Sequence, residues 1–242
     1  MKRLSDIQGV IFDYGGTIDT NGCHWAEVLW SKYEELHVPV DKAGFREAYV
    51  HGERTLARFP LVKPDDNFRD VLRLKTHIQM DWFVENGKLS REEAEAGEYA
   101  ARIADGCYAY VLEMLKRTRP VVQALSERYK LVLVSNFYGN IQAVLKDFAL
   151  DGFFPRIVES SVVGVRKPDP AIYRLGVEAM GLPAGRVLVV GDSFSKDMVP
   201  AKQVGCKVAW LKGKGWGGEE TDESLPDIVI TDLSDLLSEL MD

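Results

Sequence analysis

From residue 120 onward, short β-branched apolar runs alternate with stretches of helical periodicity, and that alternation leaves few folds open. Residues 131–134 (LVLV) and 187–190 (VLVV) are apolar throughout, as strands buried on both faces must be. Weaker strand candidates lie at 156–158, 208–211 and 228–230. Helical patterns at 123–128, 141–148, 171–180, 198–204 and 233–240 fall between them, and Pro120 suits the first turn of the helix that opens the block. Strands that take turns with helices predict a parallel sheet covered on both faces. Residues 9–13 read as one further buried strand, which would join the same sheet.

The stretch between that first strand and residue 120 has a different character. Helical periodicity covers 25–36, 42–59, 68–85 and 91–117, and Ser90 with Glu93 makes a capping box for the last of these. Trp25, Trp30 and Trp82 sit at helical positions and are expected in the core. Asn21-Gly22 is the dipeptide most favoured in tight hairpin turns. There is no strand signal, so an all-helical domain, 21–117, is expected to interrupt a Rossmann-like three-layer α/β core made of 1–20 and 118–242.

At 242 residues, with 46% apolar and 28% charged side chains, the chain can bury a sizeable core and is ordinary for a globular protein. A net charge of −7 argues against nonspecific attraction to nucleic acid or anionic lipid. No apolar run is long enough for a signal-peptide core or a bilayer span, which makes the cytoplasm the expected compartment. Cys23, Cys107 and Cys206 are widely spaced and form no Cys-x-x-Cys pair, so buried free thiols are expected. No obligate protein partner is implied.

Ligands of open α/β sheets gather at the carboxyl ends of the strands. Four polar clusters stand at such ends: Asp13 with Gly15-Gly16-Thr17; Ser135-Asn136; Lys167-Pro168-Asp169; and Gly191-Asp192 with Asp197. Two carboxylates, a hydroxyl and an amine delivered to one edge point to a joint functional site rather than to coincident turns and caps. The runs that carry them, IFDYGGTID, LVLVSNF, VRKPDPAIY and VLVVGDSFSKDMVPAKQVG, resemble in order and spacing the four motifs of the haloacid dehalogenase-like superfamily. The helical stretch after the first motif is similar to the mobile cap that many members carry there.

That resemblance implies a magnesium-dependent phosphohydrolase acting on a small phosphorylated substrate. Asp13 would be the nucleophile that becomes an aspartyl-phosphate. Asp13, Asp192 and the backbone carbonyl of Gly15 would hold Mg2+, a hard cation suited to a few oxygens. Ser135, Asn136 and Lys167 would bind the phosphate, and Asp197 would hold Lys167 or a water on the metal. Gly15 departs from the pattern, because phosphatases of the superfamily usually carry there the aspartate that protonates the leaving group and later activates water. Asp19 and His24, which flank the Asn21-Gly22 turn, are candidate substitutes. Without a substitute, substrates with good leaving groups are expected to react best and the phosphoenzyme to clear slowly.

Two other readings stay open: a catalytically weak or silent protein that binds a phosphometabolite or a protein, and a hydrolase of carbon–halogen or carbon–phosphorus bonds. For the last, Lys42, Lys63 and Lys75 match no pattern of a Schiff-base lysine. Arg46, Arg54, Arg58, Arg69 and Arg73 are candidate anchors for a charged substrate, although amphipathic helices carry such residues for solubility. The Gly- and Lys-rich stretch 212–218, with Trp216, reads as a flexible surface loop and lacks P-loop spacing.

Overall fold

The computed structural model describes residues 4, 6–217 and 221–241. Its sheet has six parallel strands: β1 (Gly9–Phe12), β2 (Lys130–Ser135), β3 (Arg156–Glu159), β4 (Val187–Gly191), β5 (Lys207–Leu211) and β6 (Ile228–Ile230), in the order β3-β2-β1-β4-β5-β6. The chain winds outward from β1 in one direction through β2 and β3, then returns to the other side of β1 for β4. The strand order therefore reverses between β1 and β4, and a crevice opens at their carboxyl ends.

Strand side chains alternate between faces. Val10 and Phe12 of β1, Leu131 and Leu133 of β2, and Leu188 and Val190 of β4 enter one apolar cluster, while Ile11, Val132, Val134, Val187 and Val189 enter another. Helices α8 (Ala171–Met180) and α9 (Val199–Val204), with Met198 just before α9, cover the second face through Ile172, Tyr173, Met198 and Ala201. The first face is covered by α5 (Tyr99–Ser126), α6 (Ile141–Asp147) and α10 (Asp235–Met241), through Val121, Val122, Val144, Leu145 and Leu236. These are the three layers expected.

Between β1 and β2 stand α1 (Trp25–Glu35), α2 (Lys42–Arg58), α3 (Phe68–Glu85), α4 (Arg91–Ala96) and the long α5. Among the described residues no strand interrupts them. The capping box at Ser90 and Glu93 forms and starts α4, but that helix ends at Gly97 and does not run on to residue 117. Pro120 is not in a first turn either: it lies inside the 28-residue α5. The hydrogen bond it denies falls to the carbonyl of Lys116, on an exposed turn where water can serve it. Val121, Val122 and Leu125 meanwhile bury themselves and hold the last turns against the sheet. The expected division at 117/118 thus falls within one continuous helix. The short helix α7 (Ser160–Val163) gave no sequence signal.

Asn21 and Gly22 adopt positive φ (51° and 89°), yet no strands flank them. The Asn21 side chain is taken up by Asp232 (2.8 Å) and by the N–H of Leu233 (2.9 Å), so the turn is fastened to the far edge of the core. Gly22 also meets Gly213 closely enough that a Cβ on Gly213 would overlap its backbone. The stretch after β5 lies at the surface, with 212–215 and 217 exposed, but over its described residues, 212–217, it is fastened rather than free. The Lys214 carbonyl accepts the N–H of His24 (2.9 Å), and Trp216 packs on Phe45 and Tyr49.

All three cysteines are free, with Cys107 and Cys206 buried and Cys23 half-buried. Among the described residues no helix is long and apolar enough to cross a membrane.

Candidate active site

Asp13 follows β1 directly, and its N–H is bonded to the carbonyl of Val190 on β4 (2.9 Å), which sets it at the reversal point of the sheet. Asp192 follows β4. Lys167 comes from the loop between α7 and α8, where Asn136 grips its backbone on both sides. The Asn136 carbonyl oxygen accepts the Lys167 N–H (2.9 Å), and the Asn136 amide donates to the Lys167 carbonyl (3.1 Å). So held, the buried Lys167 Nζ donates to Asp13 Oδ1 (2.6 Å) and to Asp197 Oδ1 (2.7 Å).

Asp197 is itself fixed. It sits in a single π-helical turn, Phe194–Met198, before α9, a kind of turn often found at functional sites. The Tyr173 hydroxyl donates to its Oδ1 (2.6 Å), and the N–H of Ser193 donates to its Oδ2 (3.0 Å). Thr17 donates from one side to Asp192 (3.2 Å) and, more loosely, to Asp13 (3.5 Å). Tyr173 and Thr17 lie within the quoted motifs, but only the fold reveals what they touch.

Carboxylate oxygens of Asp13, Asp192 and Asp197 lie within 4.8 Å of one another. Burial pushes the Asp13 carboxyl from its ordinary 3.8 up to about 6, with Lys167 opposing the rise and Asp197 adding to it. Burial, then the charges of Asp13 and Asp197, push Asp192 well above the ordinary range. Burial works against the charge on Lys167, but Asp13 and Asp197 outweigh it and hold its pKa above 10.5. Three carboxylates thus face one ammonium. Crowded hard oxygens with too little positive charge are a donor set that suits a divalent cation.

Gly16 makes the crowding possible. Its φ is +95°, and a Cβ there would come within 2.4–2.6 Å of the Asp192 carboxylate. Gly16→Ala should cost about 1–3 kcal/mol for the backbone strain alone and push Asp192 aside. Urea unfolding, together with titration of divalent-cation binding, checks both effects.

A cavity of about 880 Å³ opens over these groups. Asp13, Gly15, Ser135, Asn136, Lys167 and Asp197 line its floor. Arg46, Arg54 and Arg58 of α2 reach its upper wall, whereas Arg69 and Arg73 turn away to Asp105 (2.8 and 3.6 Å). Lys75 of α3 is buried in the wall and ion-paired to Glu53 (2.6 Å), which also accepts from the Tyr138 hydroxyl (3.0 Å). Trp25, Trp30 and Trp82, expected in the core, are half-buried and packed against its margin, and Trp25 also stands on the cavity wall. Trp216, from the loop after β5, completes that wall beside His24.

Both expected substitutes for the residue-15 acid border the cavity, but they differ. His24 uses Nδ1 to accept the N–H of Ala26 and so caps α1, and burial lowers its pKa to about 4. Asp19 is 1% exposed. Its Oδ1 accepts the N–H of Gly16 (2.7 Å) and its Oδ2 the indole N–H of Trp25 (2.8 Å).

The chain is similar to known proteins in sequence and in fold. The haloacid dehalogenase-like hydrolase family matches residues 7–205. The chain is 30% identical to the 5-amino-6-(5-phospho-D-ribitylamino)uracil phosphatase YigB of Escherichia coli over 173 residues, 71% of each chain. It is 36% identical to the glyceraldehyde 3-phosphate phosphatase of Pyrococcus furiosus over 136 residues, 55% of this chain and 56% of that one. Among solved structures, the magnesium-bound hydrolase YfnB of Bacillus subtilis shares the fold, with a TM-score of 0.57 at 19% identity and 99% of both chains covered.

Proposed function

The chain belongs to the haloacid dehalogenase-like hydrolases, and from that premise we propose that it hydrolyses a small phosphate monoester through a phosphorylated Asp13, with Mg2+. The observation that carries the reading is the bridge of Lys167 between Asp13 and Asp197 beside Asp192, at the one point where the strand order reverses. Relatives named as phosphatases of small phosphorylated molecules support it.

Lys167 occupies Asp13 Oδ1, and Oδ2, which accepts a long bond from Thr17, is the oxygen that attacks phosphorus. A P–O bond forms to Asp13 as the bond to the leaving oxygen breaks. Water then attacks the phosphoryl group, and the Asp13 carboxylate is released with inorganic phosphate. Lys167 offsets charge gathering on the phosphoryl oxygens, where a fixed ammonium out of water acts strongly. Ser135 would bond one of those oxygens. Asn136 acts by fixing the Lys167 backbone, and Asp197, with Tyr173, by fixing its ammonium. Asp13, Asp192 and the Gly15 carbonyl would hold the cation, which when bound would supply positive charge to the phosphate oxygens.

The rival bond-breaking chemistries fit these residues less well. A carbon–halogen hydrolase working through Asp13 leaves Asp192 without a task. A carbon–phosphorus hydrolase with a cap lysine needs a free amine, and Lys75, the lysine of the helical stretch on the cavity wall, is held by Glu53.

A panel of sugar, glycerol, nucleotide and aryl phosphates, assayed with magnesium and again after chelation, tests the proposal. Phosphate release that requires the metal is the expected result. Tight binding of a metabolite with no release from any ester would replace it with the silent reading.

A further inference from the structure

Gly15 has no acid to offer, yet the space beside it is not closed. A Cβ on Gly15 would have only the Trp25 indole within reach, at 3.9 Å, and its backbone is outside the left-handed region. The same indole N–H holds Asp19 Oδ2 at 2.8 Å. One indole thus borders both the open side of Gly15 and the Asp19 carboxyl, and all three residues line the cavity that contains Asp13.

We propose that Asp19 is the general acid and base of the reaction, reaching the leaving oxygen through the space that a glycine at position 15 keeps open. This rests on the phosphohydrolase reading above. Asp19 gives its proton to the leaving oxygen as the ester P–O bond breaks. The resulting carboxylate then takes a proton from the water that attacks phosphorus, which restores Asp19 for the next turnover. The N–H groups of Gly16 and Trp25 bond Oδ1 and Oδ2 of Asp19 and fix the carboxyl in orientation.

The other candidates on the cavity wall are committed elsewhere. Glu53 is kept ionised by Lys75, despite its burial, and cannot donate. Asp197 spends its oxygens on Lys167, Tyr173 and the Ser193 N–H. His24 caps α1 and stays neutral. For Asp19, burial outweighs the N–H bonds to its carboxyl and raises it to about 7, with the charge of Asp13 adding to the rise; Tyr14, Tyr110 and Asp192 are further titratable groups near it. A general acid and base works best with a pKa near the working pH.

Rapid-mixing and steady-state assays with p-nitrophenyl phosphate and glycerol 3-phosphate test this on the wild type, Asp19→Asn, Asp19→Asn with Gly15→Asp, and Asp13→Asn. With the aryl ester, whose leaving group needs no proton, Asp19→Asn should release a burst of about one nitrophenolate per enzyme, because attack on Asp13 proceeds but the phosphoenzyme clears slowly. Steady-state turnover should fall about 10²-fold or more. With the alkyl ester turnover should fall as far without a burst, since departure is itself slowed. Adding Gly15→Asp should abolish the burst and recover at least about 10-fold of the turnover, as a general acid and base contributes more than that.

Asp19→Asn turnover within about threefold of wild type, or a uniform loss with no burst and no recovery, overturns the role of Asp19, since the role demands about 10²-fold or more. Wild-type release that does not depend on Asp13 overturns the phosphohydrolase reading and this role with it. Should Asp19→Asn fail to fold, Trp25→Phe removes only the donor to Oδ2. It should then lower kcat about 10-fold at little change in KM, as for loss of one orienting contact, and an unchanged kcat overturns the proposal.

Discussion

Asp13→Asn should lower phosphate release by roughly 10⁴–10⁶-fold, as removal of a covalent nucleophile does, and yet raise the stability of the metal-free protein. The second half follows from the raised carboxyl. The folded-state pKa of Asp13 is about 6 against an ordinary 3.8. The folded protein therefore binds more protons than the unfolded chain between those values, and stability falls as pH rises through that window. Below about pH 4 the group is neutral in both states, and variant and wild type should be equivalent. Above about pH 6 the variant should lead by about 1 kcal/mol or more. The amide oxygen of the introduced side chain can still accept from Lys167, so little packing is disturbed. Magnesium should reverse the order, because only the wild type gains binding free energy from the cation. Thermal melts at pH 4 and pH 7.5, with chelator and with magnesium, read all three signs. A variant less stable than wild type without metal at pH 7.5 would mean that Lys167 already balances Asp13.

The polar edge of this crevice was legible in the sequence because it sits where backbone geometry leaves little choice. A run such as VLVVG must be a central strand, and its first polar successor must stand at the sheet's carboxyl edge: Asp13 and Asp192 directly follow β1 and β4, and Ser135 ends β2, whereas Lys167 lies beyond α7 and reaches the crevice only through the fold. The crevice position followed once β1 and β4 were neighbours. The cavity walls were not legible. Trp216 reaches His24 across nearly the whole chain length, and no local pattern encodes that approach. Trp25 looked like one more apolar helix residue until its indole N–H was found on Asp19. Pro120 read as a helix start because propensity is local. The burial of Val121, Val122 and Leu125 is a tertiary gain that offsets one missing hydrogen bond on a solvated turn. Asn136 read as a phosphate ligand from its place after β2, while the loop carrying Lys167 turned out to be what it holds.

Lys167→Met should move stability the other way from Asp13→Asn at the same site. Methionine has nearly the shape of the lysine stem, so the change removes chiefly the ammonium. Asp13 and Asp197 lose donors at 2.6 and 2.7 Å, and with Asp192 they are left in a largely dry crevice with no cation. Breaking a buried pair by removing one partner typically costs about 3–5 kcal/mol. The folded pKa of Lys167 lies above 10.5, so its contribution is fully present at neutral pH and is lost only as pH rises through that higher value. The deficit of the variant should nevertheless shrink on acidification toward pH 4, for a different reason: the stranded carboxylates take up protons there. Magnesium should recover part of the lost stability and little of the turnover, which should stay roughly 10²–10³-fold down because the group that meets the phosphoryl charge is gone. Urea unfolding of both variants under one set of buffers makes the comparison. Stabilisation by both substitutions would mean that the carboxylates share protons rather than depend on Lys167, and the charge balance assigned to this crevice would be wrong.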